Sequence, residues 1–474
     1  MEMHFADGSV EQYNDTPLKA GAQGAIYLSR DQRSVVKLYH KDPSNPAQER
    51  ENRDRIDKLI ARFNPTRQDP YWTQFFTWPE KRVDRPGVGY RMRFVSGMRT
   101  LDHYIFLKAY SRLPPEEKGW FIGRIAVAIK MVTAADRMAR MGLCYPDFSP
   151  KNIMVDPFAG HMVLIDCDSL TVPKLLPATI AGTSWYRAPE IITQKTTTPS
   201  VQSDRHALAV LLYHWFLLRH PLDGDRAPLD PDPDRDDLLH YGEKALYAEH
   251  PTDRTNQLTD PSLIRTSALG PELQKLFQLA FVDGLHQPYA RPLPYQWQKG
   301  LQHTYDQIVP CASQYCDWRF FVFQPSARPV CPKCREPMKN PATLPLLYLH
   351  AQKSSTNSVQ GSPAVRSDAH YIVGWPQRFL HKWHTHSDVT PFYTDPQNIP
   401  DNAPCAVFAC NQKNQWYLQN LTLTEMRYRL AGDPANHWRS WPINGSVQLE
   451  PQMEVLFSSR ATSFRAMVEM HRVG

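Results

Sequence analysis

The chain has 474 residues, 42% of them apolar and 22% charged, with a formal net charge of +6; this is the balance of a soluble globular protein with room for two to four domains. So thin a positive excess suits an anionic ligand, and a nucleotide would satisfy it as well as a nucleic acid. The opening MEMHFADGSVEQ is polar and acidic, unlike a secretory signal, and the longest apolar run, 207–218, is too short to cross a bilayer; a cytoplasmic setting with no membrane partner is expected. In that setting the eight cysteines favour metal ligands or buried thiols over a disulfide framework, and the 42 prolines point to many irregular connections.

Residues 9–40 alternate apolar and polar with glycine-rich turns, as β-hairpins do. Within them 18–27 (LKAGAQGAIY) separates two strand candidates, with Gly21 and Gly24 able to bring backbone close to a ligand and Ile26 flanking them. The next strand, 34–39 (SVVKLY), buries Lys37 among apolar neighbours. Residues 48–63 carry Ile56, Leu59, Ile60 and Phe63 at helical spacing; 75–79 (FFTWP) and 88–95 (VGYRMRFV) read as further strands. A helical region opens at 101–107, and 120–141 is a long core helix ending at the stretch around which the chain is organised.

That stretch, 142–170, reads as two short strands at 152–155 and 162–165, each next to a loop with acid and amide groups. Asp147 precedes Asn152 by five residues, and Asp166 follows Asn152 by fourteen. Phosphoryl transfer needs such a set: a carboxylate to orient a hydroxyl, and an amide with a second carboxylate to hold Mg²⁺ on the phosphates. Tyr145-Pro-Asp-Phe-Ser-Pro-Lys-Asn152 and Asp166-Cys-Asp168 resemble the catalytic loop and metal-binding aspartate of protein kinases. Further resemblances follow in the family's order: GTSWYRAPE at 182–190, SDRHALAVLLY at 203–213 and Ala290-Arg291-Pro292.

The resemblance implies a bilobal kinase fold over 1–302, with an N-lobe of about 1–95 and a C-lobe of about 96–302. It implies that Lys37 holds ATP phosphates, that Asn152 and Asp166 bind Mg²⁺, that Asp147 orients the substrate hydroxyl, and that Lys151 neutralises the transferring phosphate. Gly21, Gly24, Ile26, Val35, Met92 (the gatekeeper position), Arg93, Val95 and Met154 would line the nucleotide cleft. Asp204 would hold the catalytic-loop backbone and Arg291 would pair with Glu190. Glu49 or Glu51 would pair with Lys37, and the sequence leaves the choice open. Thr183 favours Ser/Thr specificity.

The chain departs from the family at several places: Lys19 stands for the first loop glycine, Val35 for a small residue, Pro146 for the arginine before the catalytic aspartate, Ser149 for a lysine and Asp168 for a glycine. Asp168 could join the Mg²⁺ site or restrict the loop. With Pro146, and only 21 residues between Asp166 and Ala188, activation-loop phosphorylation is not expected to be required. YPDFSPKN, DCDS and FTWP look most like the divergent bacterial kinases of tellurite-resistance and stress operons, which implies a von Willebrand-type domain protein and a PP2C-like phosphatase as partners. The competing reading is a nucleotide-binding pseudokinase acting as a scaffold.

After residue 302 the composition changes. Cys311-x4-Cys316 is followed after fourteen residues by Cys331-x2-Cys334, a zinc-ribbon pattern with four thiolates for a closed, structural Zn²⁺ site, placed at 303–345. Cys144 and Cys167 read as small buried side chains, and Cys405 and Cys410 suggest no metal. A polar linker is expected over 346–367, Ser-rich at 351–366, and an all-β sandwich over 368–474 from strand candidates at 370–373, 405–410, 415–419, 446–449 and 454–457. Residues 415–421 with the two strands after them resemble the second half of a forkhead-associated domain, but Gly374 is followed by Trp375 and the family's phosphate-binding residues are missing, so a degenerate docking module is the reading. His381, His384 and His386 read as solvated loop histidines. No dense basic-aromatic stripe calls for nucleic acid. The fold class expected is α+β.

Overall fold

Seven antiparallel strands begin the chain: β1 (Glu2–Phe5), β2 (Val10–Gln12), β3 (Lys19–Ala20), β4 (Gly24–Leu28), β5 (Ser34–Tyr39), β6 (Lys81–Arg85) and β7 (Gly89–Arg93), in the order β2-β1-β6-β7-β5-β4-β3. The computed structural model describes residues 1–178, 182–325, 328–338, 342–351, 370–387, 389 and 403–473. Helix α1 (Pro46–Ala61) buries Ile56 and Leu59 and leaves its glutamates in water. Ile56 packs with Val35, Val88, Tyr90 and Met92. The FFTWP stretch is not a strand: a 3₁₀ turn at Pro70–Gln74 precedes it, Pro79 ends it, and Phe76 makes an isolated bridge to Leu164. The strand forms instead at β6.

Helices and a small sheet of three strands, β8 (Arg99–Thr100), β9 (Ile153–Asp156) and β10 (His161–Leu164), follow. Helix α2 (Phe121–Arg140) leads into the loop before β9. Helix α3 (Val201–Leu217) starts at a reciprocal cap in which the Ser200 and Ser203 hydroxyls accept each other's backbone N–H. Its residues 206–217 are all buried, which accounts for the apolar run that is too short for a membrane. Among the described residues no helix is long and apolar enough to cross one.

The chain divides into two compact units. One contains Met1–Lys118, Lys130–Pro261 and Leu276–Trp297; the other contains Gly119–Ile129, Ser262–Lys275 and Gln298–Gly474. In the second, β11 (Ile308–Pro310) and β12 (Phe320–Val322) form the hairpin of the cysteine module. Two antiparallel sheets follow. The larger, β14-β13-β22-β21-β18-β19, is built from β13 (Thr343–Ala351), β14 (Tyr371–Val373), β18 (Arg427–Arg429), β19 (Arg439–Ser440), β21 (Glu454–Leu456) and β22 (Phe464–Arg472). The smaller, β15-β16-β17-β20, uses β15 (Phe379–His381), β16 (Pro404–Cys410), β17 (Trp416–Asn420) and β20 (Ser446–Gln448). Trp416 Nε1 donates to the Thr343 carbonyl, and a Cβ on Gly374 would meet Pro345 and Phe408 at 2.6 Å, so that glycine answers to close packing.

Two expectations change here. Residues 346–351 are not linker: β13 pairs along its whole length with β22, more than a hundred residues away, and buries Leu344, Leu346 and Leu347. The rest of the expected linker, 352–367, lies outside the described residues. The histidines of 381–386 are not solvated: His384 and His386 are buried, and His384 Nε2–H donates to Asp306 Oδ1 at 2.8 Å. Asp306, itself fully buried, also takes His370 at 2.6 Å and Arg378 at 3.4 Å. This polar cluster pairs its own buried carboxylate with three donors.

Candidate active site

The catalytic-loop stretch is fastened from several sides. A 3₁₀ turn at Pro150–Asn152 brings Asn152 under Asp147, and its Nδ2 donates to Asp147 Oδ2 at 2.8 Å and to the Asp147 carbonyl at 3.0 Å. The amide nitrogen is thereby committed, and Oδ1 is the atom left to meet a cation. The other carboxylate oxygen of Asp147 accepts the Thr183 hydroxyl at 2.7 Å and its N–H at 3.2 Å. Below the loop, Asp204 Oδ2 accepts the Tyr145 N–H at 2.7 Å and Oδ1 accepts Cys144 Sγ–H at 3.1 Å. Burial pushes Asp204 up to about 7, against the pull of those two bonds. The Glu190 carboxylate meets both Arg291 Nη atoms at 2.7 Å, a bidentate pair with the guanidinium wholly buried.

Asp166 follows β10 in the left-handed region, φ +61°, which aspartate tolerates better than most residues. Its Oδ1 lies 2.5 Å from Lys37 Nζ on β5. Lys37 also donates to both oxygens of Asp168, at 3.1 and 3.0 Å, and Tyr39 OH donates to Asp168 Oδ2 at 2.5 Å. Burial opposes the charge on Lys37, but the carboxylates of Asp168 and Asp166 outweigh it and hold the ammonium well above the ordinary lysine range. Burial, then the neighbouring Asp168 charge, push Asp166 up to about 7. Asp168, fully buried, is pulled down by Lys37 and the Tyr39 hydroxyl. A divalent cation reverses that logic for a carboxyl beside it, and an amide oxygen with a carboxylate is the hard donor set Mg²⁺ takes. Asn152 and Asp166 therefore fit the metal.

Lys37 meets neither helix glutamate. Glu49 pairs with Arg53 at 3.0 Å on the exposed helix face, and Glu51 is exposed. Helix α1 instead sends Arg55, buried, to the backbone after Asp166: Nη1 donates to Leu170 O at 2.8 Å and Asp168 O at 3.4 Å, and Nη2 donates to Pro177 O.

Of the residues expected around a nucleotide, Val35 and Met92 face each other across β5 and β7 in one buried cluster against which Ile26 packs. Arg93 ends β7, with its guanidinium on the Thr73 carbonyl, and Val95 lies just beyond, buried. Met154 sits half-buried on β9 opposite Val163. The turn at Gly21 closes by its N–H on Gly24 O at 2.9 Å. A Cβ at Gly24 would come within 2.2 Å of the Leu38 carbonyl, so this glycine is required by the neighbouring strand rather than by a ligand. Lys151 is exposed on the catalytic-loop turn and joins no ion pair among the described residues. Sequence reasoning missed Tyr39 and Arg55 as members of this site, and it weighed Asp168 for the metal or the loop rather than as a partner of Lys37. The signal available for Tyr39 was its two-residue spacing from Lys37, which puts both on one face of a strand.

In the second unit, Cys311, Cys316, Cys331 and Cys334 converge with all four sulfurs within 4.8 Å of one another. The pairs Cys311–Cys334 and Cys316–Cys331 stand at 3.4 and 3.8 Å. Tetrahedral Zn–S bonds of about 2.3 Å put sulfurs about 3.8 Å apart, so the cluster fits Zn²⁺ as a closed four-thiolate site. Among the described residues no other such group of candidate ligands occurs, and Cys405 and Cys410 stay outside it.

The protein kinase domain family model matches residues 122–261, which takes in α2, the catalytic loop, Asp166, Glu190 and α3. A search of curated proteins gave no match. With mixed helix and sheet in the first unit, and the cysteine cluster and further sheets in the second, the chain is α+β, and its residues 122–261 match a protein kinase domain.

Proposed function

We propose that this protein is a Ser/Thr protein kinase that moves the γ-phosphate of ATP to a protein hydroxyl. Lys37 engages the ATP phosphates, Asn152 and Asp166 hold Mg²⁺, and Lys151 balances charge at the transfer. Mg²⁺ supplies neutralisation of the phosphate oxygens. Gly21, Gly24, Ile26, Val35, Met92, Arg93, Val95 and Met154 form the nucleotide cleft. The observation that carries the reading is Asp147: one oxygen is fixed by Asn152, and the other is presented to a hydroxyl, that of Thr183 at 2.7 Å. A carboxylate so oriented can accept a substrate proton, and the neighbouring threonine supports a Ser/Thr acceptor. The four-cysteine module, with structural Zn²⁺, and the β-sheets serve as docking modules for protein partners. The setting is cytoplasmic bacterial stress signalling, with a von Willebrand-type domain protein and a PP2C-like phosphatase as associates.

The scaffold alternative draws on Pro146, Ser149 and Asp168, none of which matches the active family's pattern. Labelled-phosphate transfer from ATP·Mg²⁺ to the protein and to a generic acceptor separates the two. The kinase labels and its Asp147→Asn and Asp166→Asn variants do not. Thermal stabilisation by nucleotide with no labelling on any acceptor would transfer the assignment to the scaffold.

A further inference from the structure

We infer that Asp168 is the positioning residue of Lys37, taking the role for which helix α1 supplies no glutamate; the inference rests on the nucleotide-site reading above. Three observations converge on it. Lys37 Nζ donates to both Asp168 oxygens at 3.0 and 3.1 Å, while Glu49 is turned to Arg53 and Glu51 is exposed. Asp168 is only 4% exposed and its carboxylate is buttressed by the Tyr39 hydroxyl from the same face of β5 that carries Lys37. The turn that presents Asp168 is held by Arg55, whose guanidinium binds the carbonyls of Asp168 and Leu170. A glycine at 168 would offer Lys37 no carboxylate.

The physical consequence concerns Asp166. Lys37 at present shares its charge between two carboxylates. When Asp166 serves a cation, Asp168 remains as the buried partner that keeps the ammonium from being stranded. The lysine is then positioned by the sheet and the segment after Asp166, independently of any charge on α1. Such a kinase is not switched by bringing a helix glutamate in or out. Helix α1 communicates through Arg55 to backbone carbonyls instead.

The test is the affinity of the full-length protein for ATP, by calorimetry, with Mg²⁺ and again with EDTA, alongside phosphate transfer. Asp168→Asn is expected to weaken ATP binding about tenfold in both conditions and to lower kcat/KM further, with Asp168→Glu recovering part of the loss. The double variant Glu49→Gln/Glu51→Gln is expected to stay within about twofold of wild type. On a Lys37→Met background, Asp168→Asn is expected to add nothing, because its partner is gone.

The proposal is overturned if Asp168→Asn stays within about twofold, if its loss appears only with Mg²⁺ (a metal ligand), or if it persists on Lys37→Met (a structural role). A tenfold loss in the glutamate double variant also overturns it. Tyr39→Phe, removing only the buttress, covers the case in which Asp168→Asn does not fold: about threefold weaker ATP binding, absent on Lys37→Met, supports the inference and an unchanged affinity refutes it. Wild type that binds ATP without transferring phosphate would end the kinase reading alone, since the affinities still decide the role of Asp168. Wild type that binds no ATP would end both.

Discussion

Arg291 shows how far a single side chain can be read from its neighbours in sequence. Its place in Ala-Arg-Pro, a hundred residues beyond Ala-Pro-Glu, implied Glu190 as partner through the resemblance to the kinase family, and the two meet in a bidentate pair with the guanidinium buried. The guanidinium also donates to the carbonyls of Gln202, Gly284 and Leu285. Arg291→Ala removes a buried guanidinium and leaves the part-buried Glu190 carboxylate unpaired, and should lower stability by about 2–3 kcal/mol in urea unfolding, with lysine a poor substitute because it cannot reproduce the fork. A loss under about 1 kcal/mol would mean the pair is solvated. Lys37 is the opposite case. Its motif was legible, but its partner was not, because Asp168 departs from the family and reaches Lys37 from 131 residues away. The histidines at 381–386 failed to read as buried for the same kind of reason: the carboxylate that receives His384 stands 78 residues earlier.

Elements follow the same division. Strands with their own alternation, such as β5, β16 and β17, were visible within a residue or two, and the apolar run 207–218 marked the C-terminal part of helix α3. Strand β13 was hidden because its identity depends on β22, and FFTWP misled because an apolar, aromatic run is equally at home in a turn packed on a core. The hairpin β11–β12 encloses the first cysteine pair rather than joining the two, but the convergence of the four cysteines was legible, since two short-spaced pairs suffice for one site. Removing its metal should be costly, because ligand convergence exists only in the folded chain. Treating purified protein with a strong chelator under reducing conditions is expected to release about one Zn²⁺ per chain and to lower the melting temperature by several degrees. Protein isolated without zinc, and indifferent to chelator, would remove the metal from the account.

At the scale of the whole molecule, buried histidines set the response to acid. His206 is held far below the ordinary histidine range by burial and then by Arg291. His214 and His303 are pushed down to about 3, chiefly by burial and then by His220 and His370 respectively. Burial also lowers His220 and His384. In each case the unfolded chain takes up a proton that the folded chain refuses. The stability they allow is complete above about pH 6.5 and drains away as pH falls, by about 1 kcal/mol at pH 5.5 for each of the strongly shifted His206, His214 and His303. Asp204 and Asp166, raised to about 7, act in the opposite direction, each gaining about 2 kcal/mol by pH 5.5, which offsets most of the histidine loss there; the histidine loss outgrows that gain only as pH falls toward 4. Asp306, held below the carboxylate range by its histidines despite its burial, adds a further loss under about pH 4. Thermal unfolding should therefore change little between pH 7.5 and 5.5 and come several degrees lower at pH 4, and a higher melting temperature at pH 4 than at pH 7.5 would contradict the histidine assignments.

The most direct test of the account is the rate of phosphate transfer from ATP·Mg²⁺ to a serine- or threonine-containing acceptor, wild type against Asp147→Asn. The arrangement of Asp147 between Asn152 and Thr183 predicts measurable transfer by wild type and a fall of about 10²–10⁴-fold in the variant, with nucleotide affinity retained. Equal rates in the two proteins, or none in either, would contradict it.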